Sequence, residues 1–537
     1  MNINITKYIT IIFFSLLFLD TDAQTRYLDN IFTDVNITEI DTFAINVSIE
    51  PMLFGSSPAL MPIECDIYEP VGDVVSNRPV IIISHSGSFI PPVGNGQPIG
   101  SIKDSSIVEQ CIRWAKKGYV AVAMGNRKGW FPQSPDFNVR ASSYIQAIYR
   151  GVQDAKSMVR YLRMTEVNGN PYGINPNKIV LGGQGTGGYI SLAYASLDDQ
   201  QELDLPKFTD LTDPQNPIPY ISPISYGNIA GDEFAYLGIF SSTGVFIGVD
   251  SNYVTSYPNY PEYSNEINMA FNIGGALADI SWMDTVGIPI VSFHCEKDPV
   301  NPIDTGDLII DFSGAFLMEV MGSRTVQHYA NLYGHNDVFI NAGLTDIYTN
   351  IANTNNNGYE GLYVFKTTPP SNQPNLFGES EVEQHAPWEW WDNVSYDSIF
   401  TSFYGTQIGY GAANSILANP DMSASKGRTY IDTIQGYLNP RIYIALNLGG
   451  TSSISINNAL DFSTRIYPNP ANNELNIENN NFIISSIELF DISGKSIVVK
   501  RVNEMATILD ISNLSNGIYF VKVNSNQSSV MKKLIVD

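Results

Sequence analysis

Lys178-Ile179-Val180-Leu181-Gly182-Gly183-Gln184-Gly185-Thr186-Gly187-Gly188-Tyr189 is the stretch from which the rest of the chain can be read. Lys178 to Leu181 is a short apolar run rich in β-branched residues, and it passes directly into glycines. Gly187 to Ala195 then reads as a helix. A strand that turns into a helix within a few residues brings two pieces of backbone close together, which only small residues permit. Outward from this turn the same alternation continues. Pro79–Ser84, Tyr119–Met124, Phe271–Ala276 and Ile288–His294 read as buried strands, while Ser106–Lys117 and Ser142–Met164 read as helices. Continuous apolar strands alternating with helices predict an α/β fold, a doubly wound and mostly parallel sheet covered on both faces.

The turn is similar to the nucleophile elbow of α/β-hydrolases, Gly-x-Nuc-x-Gly between a strand and a helix. Tyr161-Leu162-Arg163 and Tyr172 to Lys178 resemble the lead-in of the carboxylesterase and lipase branch of that fold. His85-Ser86-Gly87-Ser88-Phe89 resembles the branch's His-Gly-Gly oxyanion loop, with Ser86 standing where the pattern has glycine. Phe293 to Pro302 resembles its acid-bearing turn, and Gly334-His335-Asn336 its histidine turn. The resemblance spans roughly residues 60 to 345. It implies Asp298 as the triad acid, with Asp279 the runner-up, His335 as the triad histidine, and Gly185 in the nucleophile slot. It also implies an oxyanion hole from the backbone N–H groups of Thr186 and of the Ser86–Gly87 loop.

Gly185 departs from that pattern where it matters most. Acyl transfer on this fold needs a hydroxyl activated by histidine, itself oriented by a carboxylate. Glycine offers none, although it removes the backbone strain, of order 1–3 kcal/mol, that a side chain at such a turn carries. Thr186 is no ready substitute, because its backbone serves the oxyanion hole and its side chain points elsewhere. Residual binding and oxyanion stabilisation can sustain roughly 10³–10⁴-fold catalysis over water without one triad member. The glycines also satisfy G-x-G-x-x-G, a dinucleotide fingerprint. That reading needs a second strand ending in an acid soon after the helix, and Asp198 to Pro206 is polar with no strand pattern. No cofactor is therefore expected.

The ends of the chain read differently. Residues 1–23, with Lys7 ahead of an apolar run from Tyr8 to Leu19, read as a signal peptide. Residues 24–448 form the hydrolase-like domain, with a Pro- and Tyr-rich, lid-like insertion at about 197–268 and a closing helix at Lys426–Leu448. Residues 449–464 read as a linker. Residues 465–537 read as a small all-β sandwich, with strands at Glu474–Ile477, Ser486–Phe490 and Ile518–Val523 and a hairpin turn at Ile492–Lys495. Ile466-Tyr467-Pro468-Asn469-Pro470, Leu489 to Lys495, Leu509-Asp510, Gly517 to Val521 and Lys533 to Val536 are similar to the type A sorting domain of the type IX secretion system. This resemblance implies handling by that secretion machinery. The expected route runs through the periplasm and outer membrane of a Gram-negative bacterium of the Bacteroidota kind, to the cell surface or medium.

A formal charge of −25 argues against nucleic acid and anionic membrane surfaces as partners, since both attract Lys and Arg. No stretch after the signal peptide is apolar and long enough to span a bilayer. Cys65, Cys111 and Cys295 are odd in number and lie in apolar segments, which predicts buried free thiols, and no cluster has metal-ligand spacing. His85 and His294 read as structural, His328 has no assigned role, and His385 beside Pro387-Trp388-Glu389-Trp390-Trp391 reads as packing or as lining a binding surface. The expectation is an exported carboxylesterase-like pseudoenzyme, a disabled or very weak hydrolase that binds a small acyl ester or a glycan. Two alternatives stand beside it: a working ester hydrolase using His-activated water or another nucleophile, and a surface adhesion or glycan-binding protein.

Overall fold

The computed structural model describes residues 25–92, 94–95, 97–240, 246–310, 314–367, 384–416, 419, 421–449, 464–479, 483–491, 495–525 and 529–536. The predicted signal peptide, nearly all of the predicted linker and the centre of the predicted 492–495 turn lie outside them.

The main sheet has eight strands: β1 (Val35–Ser48), β2 (Ala59–Pro70), β3 (Arg78–Ser84), β4 (Val120–Met124), β5 (Ile174–Gln184), β6 (Met269–Ile273), β7 (Ile290–Cys295) and β8 (Leu362–Phe365). Their order is β1-β2-β4-β3-β5-β6-β7-β8. β1 and β2 pair antiparallel, β2 joins β4 antiparallel, and every pairing from β4 to β8 is parallel. This is the sheet of the α/β-hydrolase fold, with β5 at its centre. Alternate residues of the central strands enter different cores, as a period of two requires. Val80, Ile82, Ile179 and Leu181 enter one, while Ile81, Ile83 and Val180 enter the other.

Helix α1 (Ser105–Lys116) and the closing helix Ala424–Ala445 cover one face, where Trp114 Nε1 donates to Asn439 Oδ1 at 3.0 Å. Helix α2 (Phe137–Val167) and helix α3 (Thr186–Ser196) cover the other. Asp136 caps α2, its carboxylate accepting from the Asn138 amide at 2.8 Å. Cys65, Cys111 and Cys295 are buried free thiols on this framework.

The 197–268 insertion lies along α2. Gln146 Nε2 donates to the Tyr220 carbonyl at 2.7 Å, Tyr149 Oη to Gly227 O at 2.8 Å, and Arg160 Nη1 to Ala230 O at 2.7 Å. These bonds satisfy irregular backbone that would otherwise be buried without partners. A second excursion, the antiparallel hairpin Thr305–Ile310 with Ala315–Met321 between β7 and β8, has no counterpart in the sequence reading.

The C-terminal module is a sandwich of two antiparallel sheets. One holds Thr464–Tyr467, Glu474–Asn479 and Ala506–Asp510; the other holds Ser496–Glu504, Ile484–Phe490, Gly517–Ser525 and Ser529–Val536. Alternate residues such as Leu475, Ile477, Ile487, Leu489, Val521 and Val523 fill the space between them. Among the described residues no helix is long and apolar enough to cross a membrane.

Candidate active site

β5 ends at Gln184, and Gly185 turns the chain into α3 with φ 51° and ψ −114°. That conformation is disfavoured for any residue with a Cβ. The turn is pinned from both sides: Gly185 N–H donates to Ile273 O at 2.9 Å, and Gly185 O accepts from the Gly188 amide at 2.9 Å. Gly187 is required by close approach, since a Cβ there would sit 2.3 Å from the Ser84 carbonyl oxygen. Thr186 is the first residue of α3, so its N–H has no intrahelical acceptor and points out of the helix end.

The loop after β3 packs over this elbow. Ser88 and Phe89 adopt φ of 55° and 54°, and Gly87 lies against Gly100 so tightly that a Cβ on it would fall 2.4 Å from the Gly100 Cα. Trp130 Nε1 donates to Ser88 O at 2.7 Å, and Asn95 Nδ2 to Gly87 O at 3.2 Å, fixing the loop's path. His85 is buried, and its Nδ1 contacts the Ser86 carbonyl. Burial, with Lys128 nearby, pushes its pKa down to about 3, so it is a neutral support for the loop.

Asp298 follows β7 on a buried turn. Its Oδ1 accepts from the Val300 and Asn301 amides at 2.8 and 3.0 Å. Asn301 ties that turn to the elbow, donating from Nδ2 to Gly274 O at 2.7 Å and accepting from Tyr189 Oη at 2.8 Å. The histidine that meets Asp298 is His385, whose Nδ1 lies 2.8 Å from Oδ2 and 3.0 Å from Oδ1. Burial acts to raise the Asp298 carboxyl, but the charge and hydrogen bond of His385 outweigh it and hold the group below the ordinary carboxylate range.

The sequence expects His335 beside Asp298; the structure brings His385 there instead. His335 precedes β8 and is turned away from Asp298, its Nε2 lying 2.8 Å from the Asp284 carbonyl oxygen. Asp279 caps a short turn and pairs with Lys207 at 3.0 Å. His294, also buried, is 3.8 Å from Asp298 Oδ2 and contacts Ser323 Oγ at 2.7 Å. The sequence reads His385 as packing or as lining a binding surface; the structure sets its ring on the Asp298 carboxylate. The apolar run Leu362–Phe365 between the two histidines is the signal that distinguishes them.

Ser86, Gly185, Thr186 and His385 line one cavity of about 50 Å³. Its remaining walls are mostly apolar: Ile90, Trp130, Tyr144 and Tyr189 from the body, and Leu308, Ile310 and Leu317 from the hairpin between β7 and β8. The hairpin, rather than the 197–268 insertion, forms the roof. The space suits a few waters or a short acyl group and is far below the roughly 300–1,000 Å³ of drug-sized sites.

Behind the elbow lies a buried polar chain. Ser106 Oγ is 2.9 Å from Gln184 Oε1 and 2.7 Å from Glu389 Oε2. One hydroxyl proton cannot serve both acceptors. Burial, aided by Asp104, pushes the Glu389 carboxyl up to about 8. Among the described residues no group of His, Cys, Asp and Glu is arranged to hold a metal ion.

Comparison with known proteins bears on the two parts differently. Residues 465–537 match the family described as secretion system C-terminal sorting domain. The C-terminal module is a secretion-system sorting domain. It marks the chain for the type IX route, to the cell surface or beyond. No curated protein matches the chain. Solved structures similar to it include a thermophilic esterase from the planctomycete Thermogutta terrifontis with propionate bound, at 16% identity and TM-score 0.27, covering 49% of this chain and 74% of that one. The same esterase phosphorylated by paraoxon matches at 16% identity and TM-score 0.27 over 49% and 72% of the two chains. Its butyrate-bound form matches at 15% and 0.28 over 49% and 74%.

Proposed function

We propose that this exported protein binds small acyl esters in the cavity above Gly185 and hydrolyses them slowly, as a hydrolase that has lost the serine at its elbow. The observation that carries the reading is the Asp298–His385 pair, whose imidazole lines the same cavity as Thr186. With Asp298 on Nδ1, the imidazole is held in one tautomer and orientation, and its Nε2 is the nitrogen that exchanges protons with the reactants. Asp298 stays ionised and stabilises the imidazolium that forms. In this reading the N–H of Thr186 and the amides of the Ser86–Gly87 loop hold the developing oxyanion. Gly185 closes the acyl-enzyme route at the elbow, so His385 must draw its proton from water or from another hydroxyl. The signal peptide, the Bacteroidota source and the passage across two membranes belong to the same proposal, supported by the sorting domain.

The test uses the full mature chain with p-nitrophenyl acetate. The expected result is slow turnover above buffer that His385→Ala lowers by about 10²-fold or more, with wild-type Tm retained. Turnover equal to buffer, together with no binding of acetate or butyrate esters by calorimetry, sinks the reading.

A further inference from the structure

We infer that Ser86 is the nucleophile of this site, its hydroxyl reaching from the oxyanion loop into the place left empty by Gly185. The inference rests on the ester-hydrolase reading above and names the group that reading leaves open.

A Cβ built on Gly185 falls 2.3 Å from Ser86 Oγ and 3.1 Å from Ser86 Cβ. The Ser86 side chain therefore lies in the volume that a residue-185 side chain would occupy, and its oxygen is within a short reach of where a serine Oγ there would sit. Ser86 is only 9% exposed. It faces the cavity it shares with His385 and Thr186. The loop that carries it is held by Trp130 and Asn95, so the oxygen is delivered from a fixed backbone. Gly185 has a second role in this arrangement, since any side chain there would collide with Ser86.

The chemistry balances without an added cofactor. Ser86 Oγ forms a bond to the ester carbonyl carbon while its proton passes to His385 Nε2, and the negative charge moves to the carbonyl oxygen beside the Thr186 N–H. Collapse breaks the bond to the alkoxy oxygen, which leaves with the proton from His385. Water then adds to the acyl-Ser86 carbonyl, giving its proton to His385, and collapse returns that proton to Ser86 Oγ as the carboxylic acid departs. Net consumption is one water per ester.

The experiment treats the mature chain with a fluorophosphonate, which phosphonylates an activated serine with loss of fluoride, and locates the adduct by peptide mass spectrometry. A single adduct on Ser86, absent in His385→Ala, is the expected result. Ser86→Ala is expected to lower p-nitrophenyl acetate turnover by about 10²-fold with its Tm within a degree of wild type. An adduct on any other residue overturns the inference. So does Ser86→Ala turnover equal to wild type while His385→Ala is inactive; that outcome leaves the ester-hydrolase reading standing with water as the nucleophile. Absence of both turnover and adduct in the wild type overturns the two together. Because the adduct is read on the wild-type chain, a folding defect in either variant does not obscure the answer.

Discussion

The two walls of the cavity contrast. On the β7–β8 wall, the Asp298–His385 pair has the arrangement of a working acid–base dyad, with a buried carboxylate, two backbone N–H donors and a fixed imidazole. On the β3–β5 wall, the elbow keeps its left-handed turn and its helix N-terminus while its side chain is absent, and a serine leans in from the neighbouring loop. The Ser86 proposal accounts for this contrast, with the hydroxyl supplied from the adjacent loop and the Asp298–His385 pair unchanged.

The comparison is sharpened most by moving the hydroxyl back. Gly185→Ser alone places a Cβ 2.3 Å from Ser86 Oγ, so its turnover of p-nitrophenyl acetate should stay within roughly tenfold of wild type. Gly185→Ser with Ser86→Gly removes that collision and restores the elbow serine, and its kcat/KM should exceed wild type by about 10²-fold. A single variant as fast as the double would show that the two side chains do not compete for the same space.

A smaller effect separates the support behind the elbow from the elbow itself. Burial raises the Glu389 carboxyl to about 8, so the folded protein keeps a proton that the unfolded chain releases. The sign follows: stability attached to this group is complete below the unfolded carboxyl value near 4.3 and is lost as pH rises through about 8. Glu389→Gln removes that dependence. Its Tm should draw ahead of wild type as pH goes from 5 to 9, by something of order 2 °C or more, as read by scanning calorimetry. A gap that is constant with pH would mean that Glu389 is ionised throughout.

The smallest effect is expected at the residue the local motif points to. His335→Ala loses the contact with the Asp284 carbonyl and should cost about 1 kcal/mol of stability, while kcat/KM for p-nitrophenyl acetate stays unchanged. A rate loss as large as that of His385→Ala would reassign the base.

The elements legible from sequence were those whose burial is written into consecutive residues. Pro79–Ser84, Tyr119–Met124 and Lys178–Leu181 are apolar on both sides because both faces of the sheet are covered, and each is found as a strand. The turn that carries Asp298 was legible because it follows its strand directly. Less visible were β1 and β2, whose mixed exposure weakens a short pattern, and the roof hairpin, which has strand-like residues but no preceding signal of a reversal. The Gly-His-Asn triplet at 334–336 has the local look of a catalytic turn, yet its neighbours place the ring against Asp284.

By itself the sequence determined the hydrolase-type alternation of strands and helices, the glycine at the elbow and the separate sorting module, because periodicity, turn chemistry and motif order are all local in the chain. Tertiary structure alone decided which histidine meets Asp298 and where the Ser86 hydroxyl lies. His385 is 87 residues from Asp298, and the pairing depends on β8 docking beside β7. Ser86 and Gly185 become neighbours only when β3 pairs with β5 in the register that sets Ser84 against Gly183. A contact made by strand pairing leaves no periodic trace in either segment, so it is settled by folding.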